Sequence, residues 1–304
     1  MEQILQKEHY RSVFYVLIGV ILSLSVIIRL FIIPYLTGSL VSWEAFFTSF
    51  FDNFIVTLII TVFIGSFIFW LTPKNAFRAK MEVIDAKEIN PTLKSVLNST
   101  RFWIYKGACG RYTRATTIPQ MAEAAKNSGF SKEITICILS PTNQHLCNEY
   151  ATYRRSLKSA DAHNPWNVKT VQAELIATIV TALKYRYLQP RLKIRIFLVD
   201  HFSAFRLDVS DQFVVVTKED KTASALKANV DTYFYESYKD DILLTERQSK
   251  EIVNFPDLEF DESPITKIKL EEVLSTTHVF SYTDLEEKDI TQILSYINSP
   301  KDPY

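Results

Sequence analysis

Two uninterrupted apolar runs near the start of the chain constrain its fold more than any other feature. They are VFYVLIGVILSLSVIIRLFIIPYL (Val13 to Leu36) and FDNFIVTLIITVFIGSFIFWL (Phe51 to Leu71). Between Arg11 and Glu44 the single charged residue is Arg29, and between Glu44 and Lys74 it is Asp52. A helix of ~20 apolar residues crosses a hydrocarbon core, and a globular core helix is rarely apolar over that length. The pattern predicts a transmembrane hairpin over 1–73, with helices at about 13–36 and 46–71. A cleaved signal peptide is excluded because the first run is too long and a second follows closely.

Basic residues set the expected orientation. Lys7 and Arg11 precede the first run, and Lys74, Arg78 and Lys80 follow the second, whereas the link Thr37 to Ala45 carries none. Both ends of the chain are therefore expected in the cytoplasm. Arg29 lies six residues before Tyr35 and Asp52 six after Phe46. At ~1.5 Å rise per residue each sits ~9 Å inside the outer boundary, where an ion pair between them or separate snorkelling would relieve the cost. The second run also carries a stripe at intervals of four: Ser49, Asn53, Thr57, Thr61 and Gly65. Such a face serves close helix packing or, in a homo-oligomer, lines an aqueous path.

The polar remainder reads as α/β. A juxtamembrane linker is expected over 74–100, with a short helix starting at Pro91. Strands are expected at Arg101–Tyr105, Ile134–Leu139 and Lys193–Val199, with an antiparallel pair in FRLDV and FVVVT. Helices are expected at Pro119–Asn127, Asn143–Leu157 and Val168–Tyr187. The alternation predicts a cytoplasmic α/β domain over 101–242 with a mainly parallel sheet. An acidic, mostly helical region completes the chain over 243–304, with helices near Ile265–Leu274 and Asp284–Asn298. From Glu251 onward there are twelve acidic residues against four basic ones, in a chain with 34 of each.

The stretch FWIYKGACGRYTR (Phe102 to Arg114) holds two of only six glycines. Ligands in open α/β sheets bind beyond the carboxyl ends of the strands. The first strand runs into Gly107, Gly110, Arg111 and Arg114, the second into Ser140 and Asn143, and the third into Asp200, His201, Ser203 and Arg206. If the three strands are parallel neighbours, these residues share one edge and form an anion pocket for a nucleotide or a nucleic-acid phosphate, glycine amides and arginines holding the charge. The alternative is structural: the glycines turn the chain while the arginines cap carbonyls or pair with carboxylates. Trp103, Tyr105, Tyr112 and Tyr150 either stack on bases or pack in the core. Gly-x-x-Gly-Arg is neither the phosphate loop nor the dinucleotide fingerprint. No catalytic constellation is legible, so no catalytic residue is assigned. Cys109, Cys137 and Cys147 lack metal-ligand spacing and a disulfide framework, so no metal and no cofactor is expected.

Two spanning helices followed by a domain carrying WIYKGACGRYTR, YATYRR and SAFRLDVSD resemble the two-helix transmembrane effectors of bacterial anti-phage retron systems. The resemblance implies a partner reverse transcriptase with its RNA-linked DNA, multi-pass residence in the inner membrane, and permeabilisation of that membrane leading to abortive infection. From the residues alone, a membrane-anchored nucleotide- or nucleic-acid-processing enzyme and a passive membrane scaffold stay open.

Overall fold

The computed structural model describes residues 8–33, 35, 41–71, 80–160, 165–220, 222–253 and 258–303; side chains at 8–15, 29, 41–44 and 68–71 fall outside that description. The chain divides into two compact units, Met1–Phe77 and Arg78–Tyr304.

The first unit holds α1 (Glu8–Ile27), which runs on into a wider π turn at Ile28–Ile32, and α2 (Val41–Leu71). The two helices touch. Along α2 the less exposed positions are Thr48, Phe51, Ile55, Leu58, Val62 and Gly65, and along α1 they are Ile18, Leu22, Ser25 and Ile28. Those three- and four-residue steps mark a packed helix face. The stripe residues Ser49, Asn53, Thr57 and Thr61 are exposed instead, and Thr61 Oγ1 donates to the Thr57 carbonyl at 2.8 Å. By length and composition, one helix among the described residues is fit to cross a membrane, Ala45–Phe67, with a mean hydropathy of 1.9 and none of it buried. The apolar part of α1, Val16–Ile32, is shorter. The expected second span, to residue 36, runs outside the described residues. So do the Arg29 side chain, and with it the Arg29–Asp52 pair.

The second unit is built on one eight-stranded sheet, in the order β1 (Glu82–Ile84), β7 (Ala225–Asn229), β6 (Phe213–Lys218), β5 (Phe205–Ser210), β2 (Phe102–Lys106), β3 (Lys132–Leu139), β4 (Leu192–Val199), β8 (Lys250–Glu251). The sheet is mixed, which corrects the expectation of a mainly parallel one. Parallel pairing is confined to β2–β3 and β3–β4. Each of these two pairs is joined by a helical crossover: α4 (Ile118–Ser128) for the first, and α5 (Gln144–Ser156) with α6 (Val168–Leu188) for the second. The other pairs are antiparallel: β5–β6 and β6–β7 through short connections, and β2–β5, β1–β7 and β4–β8 between strands distant in sequence.

Residues 74–100 are not a linker from 78 onward. They supply β1 and α3 (Ala86–Leu97), whose Ile89, Leu93, Val96 and Leu97 are buried in the core. Alternation of exposed charges with these apolar residues reads as polar in a linear scan, but at helical spacing it gives one apolar face. The boundary at 243 also falls inside an element, because α7 spans Tyr233–Arg247. The acidic region belongs to the same unit: α8 (Lys267–Thr277) touches α9 (Glu287–Asn298), and α9 packs on α6.

Helix α6 is the centre of the core. It is buried all round from Val171 to Leu183, polar residues included, and against the sheet it faces a layer that includes Ile134, Ile136 and Ile196. Side-chain caps start it and its neighbours: Asn167 accepts from Thr170 N–H, and Asn143 accepts from Leu146 N–H at the start of α5.

Candidate functional site

Because β2, β3 and β4 are parallel neighbours, the loops at their carboxyl ends open along one edge of the sheet. The structure does not gather the expected residues into one pocket there. It distributes them among two cavities, the core and surface turns.

The loop after β2 is committed to its own fold. Gly107 N–H donates to the Cys137 carbonyl at 3.0 Å, and Gly110 N–H donates to Tyr105 Oη at 3.1 Å. Neither amide is available to an anion. The glycines are needed for close approach. A Cβ on Gly107 would lie 2.4 Å from Tyr105 Oη, and Gly110, at φ +68°, would press a Cβ to 3.0 Å from Thr178 Cγ2. Thr178 Oγ1 in turn donates to the Cys109 carbonyl at 2.7 Å, pinning the loop to α6.

Arg114 is likewise structural. It sits in a π turn at Thr113–Thr117. Its Nη2 donates to Glu174 Oε2 at 2.6 Å and its Nη1 to the Glu174 carbonyl at 3.0 Å. Arg111 Nε reaches the second Glu174 oxygen at 3.1 Å. Trp103, Tyr105, Tyr112 and Tyr150 are buried core residues, which is the packing alternative and leaves them unavailable for stacking on bases.

The first cavity, of about 30 Å³, lies at this end of β2, β5 and β6. Arg111 and Arg206 line it together with Arg154, Lys218, Glu219 and Pro303. Arg206 Nε donates to Asp208 Oδ2 at 3.1 Å, the Asp208 side chain being wholly buried. Burial drives the Asp208 carboxyl above the usual range, and the adjacent guanidinium opposes that push. Arg154 Nη1 donates to the Glu219 carbonyl at 2.5 Å and to its carboxylate at 3.2 Å. The Arg154 and Arg111 guanidinium groups lie 4.8 and 5.6 Å from the ring centre of Trp166. The sequence reading missed Arg154, Lys218 and Glu219. The pair Tyr153-Arg154 on α5 was visible, but nothing local says that α5 delivers it to the end of β6.

The second cavity, of about 420 Å³, takes Ser140, Thr142 and Asp200 from the ends of β3 and β4 and adds Lys250, Glu251 and His278. Ser140 Oγ and Thr142 Oγ1 are 2.8 Å apart, and Asn143 Nδ2 donates weakly to Asp200 Oδ1 at 3.4 Å. His201 is exposed and lines neither cavity, and Ser203 Oγ accepts from Phe205 N–H in a turn. Among the described residues no group of His, Cys, Asp or Glu is placed to hold a metal ion.

No protein-family model matches the chain, and no curated protein matches it. Among solved structures it is similar to TrmBL2, an archaeal chromatin protein with a novel mode of DNA binding. That similarity has a TM-score of 0.33 and 9% identity, over 69% of this chain and 67% of that one. A likeness so low carries no argument about what this chain binds.

Proposed function

We propose that the chain is a membrane-anchored effector whose α/β unit receives a ligand or partner and governs how its apolar helices pack. The observation that carries this reading is Ala45–Phe67, a predominantly apolar helix none of which is buried. At ~25 cal/mol per Å² of apolar surface left in water, such a helix has a strong reason to enter lipid. The exposed row Asn53, Thr57 and Thr61 gives a second copy of the chain a polar face to meet inside the bilayer. The resemblance to two-helix retron effectors supports the biological setting: a bacterial inner membrane with both ends cytoplasmic, a reverse transcriptase with RNA-linked DNA as partner, and abortive infection through permeabilisation.

The test is dye entry into infected cells expressing the chain with its neighbouring genes. Entry that depends on the apolar helices supports the reading. Unchanged entry after α1 and α2 are replaced by unrelated spanning helices leaves only a scaffold. Full recovery of the intact chain in the soluble fraction removes the membrane premise.

An enzymatic reading draws support from one observation, the 420 Å³ cleft whose lining includes Ser140, Asp200 and His278. It requires turnover of a nucleotide or nucleic acid that is lost on Asp200→Asn.

A further inference from the structure

A segment of the same chain forms part of the wall of the 30 Å³ cavity. Ser299–Pro303 leaves the end of α9 and brings Pro303 to the wall of the cavity beside Arg111, Arg154 and Arg206. The neighbouring residue, Asp302, is the latch. Its Oδ2 accepts from Lys94 Nζ at 2.9 Å, from Thr116 Oγ1 at 3.2 Å and from Asn90 Nδ2 at 3.4 Å. Two of these donors stand on α3 and the third in the π turn beside Arg114, so the latch ties the strap to two separate elements. The ties are weak individually, since Lys94 and Asp302 are partly exposed, with side chains 41% and 27% accessible, and exposed ion pairs hold little.

The walls are rich in hydrogen-bond donors: Arg111, Arg154, Arg206 and Lys218 line the cavity together with Glu219 and Asp220. Glu174, Glu219 and Asp208 pair with the three arginines, and Lys218 is exposed. Arg154 is 8% exposed, and its Nε has no hydrogen-bond partner. A cavity of this size holds roughly one water, too little for a tetrahedral oxyanion until Pro303 moves.

We propose that this is a phosphoryl-binding site, self-closed by the Ser299–Pro303 strap, and that a phosphate-bearing ligand enters by displacing Asp302 from Lys94 and Thr116. The proposal rests on the reading that the α/β unit takes a ligand, and it names that ligand's chemistry and its gate. A ligand that needs the open strap binds more weakly by the fraction of time the strap is open, so unlatching must strengthen binding.

The experiment uses the full chain in detergent micelles. Inorganic phosphate, a nucleoside triphosphate, and one oligonucleotide with and without a 5′-phosphate are titrated calorimetrically. Asp302→Ala should tighten binding of a phosphate-bearing probe about tenfold and speed proteolytic clipping of the strap. Lys218→Gln, an exposed position whose loss leaves the buried pairs in place, should weaken binding in the Asp302→Ala background. The probe bound tightest identifies the source of the phosphate. Binding by none of the probes, equal affinity with and without the latch, or equal affinity for the 5′-hydroxyl and 5′-phosphate oligonucleotides without response to phosphate would overturn the proposal. Binding in micelles reads the cavity alone and dye entry in cells reads the effector role, so failure of one is separable from failure of the other.

Discussion

Arg114 Nη2 lies 2.6 Å from Glu174 Oε2, and the two side chains are 2% and 3% exposed. Arg111 approaches the other oxygen of the same carboxylate, so one acidic group on a core helix pairs with two guanidinium groups from the segment after β2. Removing one partner of a buried pair leaves an uncompensated charge and costs ~3–5 kcal/mol. Glu174→Ala should therefore lower the unfolding free energy of the α/β unit by that order, read from denaturant titration. Glu174→Gln should cost less, because its amide oxygen still accepts a hydrogen bond. A loss below about 1 kcal/mol for the alanine variant, the scale of an exposed pair, would show that the charge is not sealed.

The Tyr105–Gly107 contact makes a second expectation. Gly107→Ala would set a methyl 2.4 Å from Tyr105 Oη and 2.8 Å from Cζ, and overpacking of this kind costs ~1–3 kcal/mol. Combining it with Tyr105→Leu should give less than the sum of the two single losses, since the clashing ring is gone. Additive losses in thermal melts would mean that the loop, and not the ring, resists the methyl.

Buried titrating groups set the response to alkali. Burial pushes the Cys137 thiol up to about 12 and the Cys147 thiol up to about 11, and it raises Cys109 as well. All three are buried, so none should react with iodoacetamide at neutral or mildly alkaline pH until denaturant is added, as mass spectrometry can count. Burial also holds Tyr235 up to about 12 and raises Tyr105 and Tyr150. An unfolded tyrosine releases its proton near ~10. Above that pH the unfolded chain binds fewer protons than the folded one, so stability falls as pH rises. Melting temperature should be insensitive to these groups below the unfolded thiol value of ~8.5, begin to fall above it as the thiols contribute, and drop most steeply between about 10 and about 12 as the tyrosines add to them.

The two-helix unit offers a test of the proposed membrane role, made by substitutions outside the globular unit. Asn53 and Thr57 are exposed on α2, off its packed face. Asn53→Leu with Thr57→Leu should keep the chain in the washed membrane fraction and leave its unfolding behaviour unaltered, while abolishing dye entry. Undiminished entry from a well-expressed double variant would rule out this face as the route or the contact between copies.

What the linear order of residues determined was local. Apolar length marked α2; the expected helices from Asn143 and from Val168 became α5 and α6; and FRLDV with FVVVT announced an antiparallel pair. All of these follow from chain geometry within a few residues, where period and capping act directly. The order of strands did not: short turns and helical connections say which pairs are parallel only once the whole sheet is assembled. The fate of the arginines was decided later still. Arg114 and Arg206 have the same chemistry in a list of residues. Asp208 is a same-face neighbour of Arg206 within β5 itself, but only the tertiary structure sets Glu174 against Arg114 and brings Arg154 and Pro303 from distant segments to the same cavity. A charge is a ligand contact or a structural one according to what shares its low-dielectric surroundings, and those neighbours are supplied by packing across the chain.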